Sequence, residues 1–159
     1  MLLYFLRHGP AGSRAAWDGP DEERPLTEEG RQTVVRVADA LAAAGVAVNT
    51  ILTSPLVRAR QTAEIAAAAL CVGGDDLLDD ERLAHGFDRQ ALAAIVAEHR
   101  QTRALMLVGH EPDFSHTIGQ VTGGAVTIKK GGLARVDVDP ATLDGELTWL
   151  LPPRVLARP

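Results

Sequence analysis

The apolar run Leu2-Leu3-Tyr4-Phe5-Leu6 ends directly in Arg7-His8-Gly9, so a cation, an imidazole and a flexible hinge leave one buried segment together. A run this short, rich in branched and aromatic side chains, predicts a β-strand covered on both faces. The polar triplet marks where the chain leaves the core, and open parallel sheets gather ligands at the carboxyl ends of their strands. The same pattern recurs twice. Thr50-Ile51-Leu52-Thr53 reads as a strand that delivers Ser54-Pro55, with Ser54 as the expected N-cap, Pro55 at the first helical position and Arg58 in the first turn. Ala104 to Val108 reads as a third strand, ending in Gly109-His110-Glu111-Pro112 with Pro112 opening another helix. Parallel strands joined by right-handed crossovers would bring these ends to one edge of the sheet, so Arg7, His8, Arg58 and His110 are expected to converge.

Four segments, in this order and at these separations, carry a resemblance to a known family: Leu6-Arg7-His8-Gly9, Pro25-Leu26-Thr27-Glu28-Glu29-Gly30, Thr53-Ser54-Pro55 through Arg58-Ala59-Arg60-Gln61-Thr62-Ala63, and Val108-Gly109-His110-Glu111-Pro112. Over most of its length the chain resembles the histidine phosphatase superfamily, also called phosphoglycerate mutase-like. Its short length and the Gly-His-Glu-Pro segment are most similar to the SixA-type phosphohistidine phosphatases. The resemblance implies a three-layer α/β/α sandwich with a mostly parallel central sheet. It also implies that His8 takes the phosphoryl group, Arg7 and Arg58 clamp it, His110 donates to its oxygens, and water hydrolyses the phosphohistidine.

Residue chemistry leads the same way. A phosphoryl group carries about two negative charges near neutral pH, and its transfer rewards positioning and charge neutralisation. Arginine forks bind phosphate oxygens bidentately and stay protonated at physiological pH. A neutral imidazole nitrogen is a competent nucleophile when an acceptor holds the proton on the other ring nitrogen. Arg60 reads as structural. His85, His99 and His116 lack metal-ligand spacing and read as solvated or satisfied, and neither a metal nor another cofactor is expected. Glu81 is the candidate acid for the leaving group, because Asp80-Glu81-Arg82-Leu83-Ala84-His85-Gly86 resembles the segment carrying that glutamate in the mutases; Asp18, Asp21, Glu22 and Glu23 are alternatives. A phosphohistidine substrate needs such an acid less, since imidazole leaves more readily than an alkoxide.

The 159 residues, 46% of them apolar, suffice for one domain with a continuous core, spanning residues 1–159 with 152–159 as a surface tail. Little length remains for a lid, and Pro10 to Pro25 is the long irregular stretch near His8, with Trp17 expected to pack on the core. An open site suits a phosphorylated side chain on another protein, the favoured substrate; a small phosphorylated metabolite and a non-catalytic phosphate-recognition role are the alternatives. A net charge of −5 without a basic, aromatic-laced stripe argues against nucleic acid. With no leader pattern and no run long enough to span a bilayer, a soluble cytoplasmic protein is expected, with no membrane partner. Cys71 is the lone cysteine and is expected to be packed. Thr27 should cap a helix whose apolar face is Val34, Ala38, Leu41 and Ala42, with Gly45 as its stop. An alanine-rich helix around residues 65–70, a helix from Arg89 to His99, and strands over Ala125–Lys129, Leu133–Val138 and Glu146–Leu151 complete the reading.

Overall fold

A computed structural model of the chain describes residues 1–156. Strands β1 (Leu2–Arg7), β2 (Thr50–Thr53), β3 (Leu77–Asp79), β4 (Ala104–Gly109), β5 (Leu133–Val138) and β6 (Gly145–Leu151) form one sheet in the order β3-β2-β4-β1-β5-β6. The neighbours among β3, β2, β4 and β1 pair in parallel, whereas β5 runs antiparallel to both β1 and β6.

Alternation along β1 divides the core between the two faces. Tyr4 and Leu6, with Ile51, Met106 and Val108, meet helices α1 (Glu28–Ala43) and α2 (Val57–Ala69). Small side chains at Ala59, Ala63 and Ala66, all fully buried, let α2 approach the sheet closely. Leu3 and Phe5, with Leu105 and Leu107, meet α3 (Arg89–Glu98) and α4 (Asp113–Thr122) on the opposite face. There Phe114 sets its ring edge-on to Phe5 and Phe87, at centroid distances of 5.2 and 5.6 Å. This is the expected three-layer α/β/α sandwich. Adjacent strands β1 and β4 feed helices on opposite faces, and that divergence opens a crevice at their carboxyl ends.

Local signals account for several boundaries. Thr27 Oγ1 accepts the Gly30 N–H at 2.9 Å and starts α1. Gly45, at φ +74°, stops it: its N–H donates to Ala42 O while Val46 N–H returns to Leu41 O.

Other expectations fail for identifiable reasons. Ser54 is not the cap of α2, which begins at Val57 behind Leu56; its hydroxyl meets the Leu56 N–H ahead of the helix and His110 Nε2 at 2.8 Å. Ala125 to Lys129 joins no strand, because the Ile128 N–H goes to Glu111 Oε1 (3.2 Å) and its carbonyl accepts from Arg7 Nη1 (2.8 Å). The edge strand β3 was not foreseen, being only three residues behind the polar Gly73-Gly74-Asp75-Asp76 segment. Cys71 is exposed, at the left-handed residue that ends α2. Trp17 closes its own loop, donating Nε1–H to Pro20 O at 2.9 Å. Of the expected tail, Pro153–Leu156 forms a one-turn helix, α5, against α1, and residues 157–159 lie outside the described residues.

Gly30 anchors the loop that follows His8. A Cβ at this position would stand 2.0 Å from the Pro10 carbonyl oxygen, a backbone atom that cannot swing aside. Gly30→Ala is therefore expected to lower the free energy of unfolding by about 2 kcal/mol, as overpacking does. Urea denaturation checks this, and an unchanged midpoint would show that the loop yields without cost.

Candidate active site

β1 and β4 lie side by side in a register that sets Arg7 level with Gly109, so the residues that follow, His8 and His110, emerge as neighbours. Their ring centroids are 5.2 Å apart. Ser54 follows β2 on the other side of β4, and its Oγ lies 2.8 Å from His110 Nε2. Arg58 comes from the first turn of α2 and is only 2% exposed. Arg7, His8, Arg58 and His110 all line one cavity of about 370 Å³, together with Asp21, Arg24, His85, Glu111 and Lys130. The structure thus brings the four expected residues together.

The tautomer of His8 follows from its partner. Nδ1 lies 2.7 Å from the Gly9 carbonyl oxygen, which can only accept, so Nδ1 carries the proton and Nε2 keeps its lone pair. Burial pushes the His8 pKa down to about 3; the Gly9 contact opposes that shift, and Arg58, Arg7 and Lys130 add to it. His110 is pushed down to about 2, first by burial and then by His8, Arg58 and His85. Both rings are neutral at physiological pH. Ser54 Oγ accepts the Leu56 N–H at 3.3 Å and lies 2.8 Å from His110 Nε2; in the tautomer where the hydroxyl donates to Nε2, the other nitrogen, Nδ1, carries the proton and is a donor.

The hinge behind His8 is held from α2. Gly9 N–H donates to Thr62 Oγ1 at 3.1 Å, and the Thr62 hydroxyl donates to Arg58 O at 2.7 Å. Glycine is required at position 9, since a Cβ would stand 2.4 Å from Val34 Cγ2 and close to Gly30 O.

Two guanidinium groups are oriented by protein acceptors. Arg58 donates from Nη1 to Asp21 O (2.7 Å) and from Nη2 to Asp21 Oδ2 (3.1 Å), while Arg7 Nη1 donates to Ile128 O (2.8 Å). Burial lowers the pKa of each, opposed by Asp21 at Arg58 and by Glu111 at Arg7. Both stay protonated. Among the described residues, Arg7 Nε, Arg58 Nε and His110 Nδ1 are buried nitrogens without a protein partner, so unmet hydrogen-bonding capacity concentrates at this site. Asp21 gathers Arg24 Nε (2.9 Å), Arg58 Nη2 (3.1 Å) and Arg14 Nε (3.4 Å), and Arg24 foremost, then Arg58, holds its carboxyl below the usual range.

The structure does not bring Glu81 into the cavity; it is exposed in the one-turn helix Glu81–Leu83. Asp18, Glu22 and Glu23 are exposed and outside the lining as well. Arg60 pairs with Glu64 and Asp79, away from the site. Sequence reasoning missed His85 and Lys130. The His85 ring lies 4.7 Å from that of His110, with Nε2 at 3.5 Å from Arg58 Nη2. Nothing in its local sequence signals this, but Lys130 stands before a Gly-Gly pair, a mark of close backbone approach.

Residues 3–85 match the family described as the histidine phosphatase superfamily (branch 1). An uncharacterized protein of Picosynechococcus sp. is 38% identical, the match covering 96% of this chain and 100% of that one. The chain belongs to the histidine phosphatase superfamily. Among solved structures, the protein histidine phosphatase SixA complexed with tungstate is similar with a TM-score of 0.86, covering 96% of this chain and 97% of that chain at 24% identity. The alpha-ribazole phosphatase from Shigella flexneri has a TM-score of 0.73, with 96% and 97% covered at 17% identity. These two likenesses establish the fold. No helix among the described residues is long and apolar enough to cross a membrane.

The buried neutral histidines make stability depend on pH. The unfolded chain protonates each ring below about pH 6.5, whereas the folded chain protonates them only near pH 3 and pH 2. Between those limits the unfolded state binds more protons. Stability is complete above pH 7 and is lost as pH falls below 6.5, by about 1.4 kcal/mol per pH unit for each ring. Urea unfolding between pH 6.5 and 4.5 should show this slope, and His8→Gln should reduce it. An identical slope in the variant would mean that His8 titrates normally in the folded protein.

Proposed function

We propose that this chain is a phosphatase that works through a phosphohistidine intermediate on His8, with phosphohistidine on a protein as its favoured substrate. The observation that carries the reading is the His8 imidazole: its Nδ1 proton is fixed on Gly9 O, its ring is neutral, and its cavity is lined by Arg7 and Arg58. Nε2 attacks phosphorus as the bond to the leaving group breaks. Arg7 and Arg58 balance the charge on the phosphoryl oxygens, and His110 donates to one of them. Water then attacks phosphorus, the P–N bond breaks, its electron pair returns to Nε2, and phosphate departs.

A SixA structure solved with tungstate, a tetrahedral oxyanion, supports the phosphoryl reading by its shared fold. Glu81 lies outside the cavity lining, and Asp21, the alternative acid that does line it, is engaged by Arg24 and Arg58 and held ionised below the usual carboxylate range, which supports a substrate whose leaving group needs little acid assistance. Hydrolysis of a small phosphorylated metabolite is the second reading, favoured by the fold shared with the alpha-ribazole phosphatase. A non-catalytic phosphate-recognition role is less well supported, because binding alone does not require a nucleophile held in one tautomer. The sheet and both helical layers draw on elements from β1 to α5, which supports one domain across residues 1–159.

Phosphate release from a histidine-phosphorylated carrier protein, a serine phosphopeptide and p-nitrophenyl phosphate provides the test. Release should be fastest from phosphohistidine and abolished in His8→Ala, and Arg58→Ala should lower kcat/KM by about 100-fold or more. Efficient ester hydrolysis with little action on phosphohistidine would favour the metabolite reading. Binding of phosphorylated proteins without release would favour recognition.

A further inference from the structure

The turn Lys130-Gly131-Gly132 is fastened to the end of β1. Gly131 N–H donates to both Arg7 O (3.1 Å) and His8 O (3.0 Å), and Arg7 N–H donates to Gly132 O (3.1 Å). Glycine is needed throughout this contact: Gly131 has φ +74°, and a Cβ on Gly132 would stand 2.9 Å from Lys129 O and 3.1 Å from Leu151 O. Two residues before the turn, Ile128 is held by Glu111 on one side and by Arg7 on the other. The segment is thus tied to the residue that precedes His8 and to the residue that follows His110. Its exposed lysine lines the His8 cavity.

Charge accounting gives this position its meaning. Arg58, Arg24 and Arg14 share the Asp21 carboxylate, and Arg7 lies in the field of Glu111. The Lys130 ammonium makes no hydrogen bond or ion pair among the described residues, although the arginines of the cavity are all engaged. An incoming dianion therefore meets arginine charge already shared with carboxylates, and one cation that is free to turn toward it.

We propose that Lys130 is a phosphate-binding residue of this site, its ammonium engaging the phosphoryl oxygens as a compact, swivelling charge beside the two fixed guanidinium forks. Its neighbour provides an internal control. Lys129 lines a separate cavity with Leu150, Pro152 and Arg154, and is absent from the His8 cavity. The inference rests on the reading of the His8 cavity as a phosphoryl site.

The test compares wild type with Lys130→Met, Lys130→Arg and Lys129→Met, all shown to be folded by circular dichroism. Orthovanadate binding is measured by calorimetry, and kcat/KM for p-nitrophenyl phosphate is measured alongside it. Lys130→Met should weaken vanadate binding by about 10- to 100-fold and lower kcat/KM to a similar extent, as loss of a charge-assisted hydrogen bond does. Lys130→Arg should retain most of both, and Lys129→Met should match wild type. Wild-type binding in Lys130→Met would overturn the proposal, and so would equal losses in Lys129→Met, which would indicate a diffuse field rather than contact. Lys130-dependent vanadate binding without turnover on any substrate would uphold it while overturning the proposed hydrolysis. Failure of wild type to bind vanadate would overturn both.

Discussion

Arg7 stands level with Gly109 across the parallel β1–β4 ladder, and a slip of one residue would reverse every side chain of β1 between the two faces. Tyr4 and Leu6 would then face α3 and α4, while Phe5 would lose Phe114. Core packing therefore fixes the register, and the register fixes the site. Because these two strands feed helices on opposite faces, the backbone parts just where His8 and His110 emerge. The position of the two rings is a consequence of how the hydrophobic layers are filled.

Electrostatics at that opening run against ordinary preference. Two imidazoles are buried beside guanidinium groups, and each responds by remaining neutral. For a residue serving as a structural ion this would be a loss; for a nucleophile, an unprotonated ring nitrogen is the required state. Asp21 has the complementary part. It keeps Arg58 oriented and offsets some of the arginine charge, so buried cations are tolerated before a substrate contributes its own negative charge.

Much of this was legible in the sequence, because burial leaves a simple mark on composition. The runs Leu2–Leu6 and Ala104–Val108 are fully apolar, and the strands formed where those runs lie. Thr27 and Gly45 act through contacts within a few residues of themselves, so their roles could be read locally. Ser54 was misread because the chain bends at Pro55-Leu56 before α2 begins, so its hydroxyl meets the Leu56 N–H short of the helix and also faces a residue 56 positions away. Ala125 to Lys129 was misread because two side chains, Arg7 and Glu111, take the Ile128 backbone groups that a ladder would have used. His85 and Lys130 escaped notice for a related reason. His85 owes its place at the cavity to side-chain contacts with His110 and Arg58, and Lys130 to the backbone bonds that fasten Gly131 and Gly132 to Arg7 and His8, all of them made far along the chain from the residue itself.

Thr62 gives the assembly a mechanical character. One hydroxyl accepts from the hinge behind His8 and donates to the backbone of Arg58, so the proposed nucleophile and a proposed phosphate clamp share a single strut. Displacing α2 along its axis would carry both together and preserve the distance between them. Such rigidity favours an anion of fixed tetrahedral size, because the spacing of the groups that meet it is set by the helix and not by the ligand.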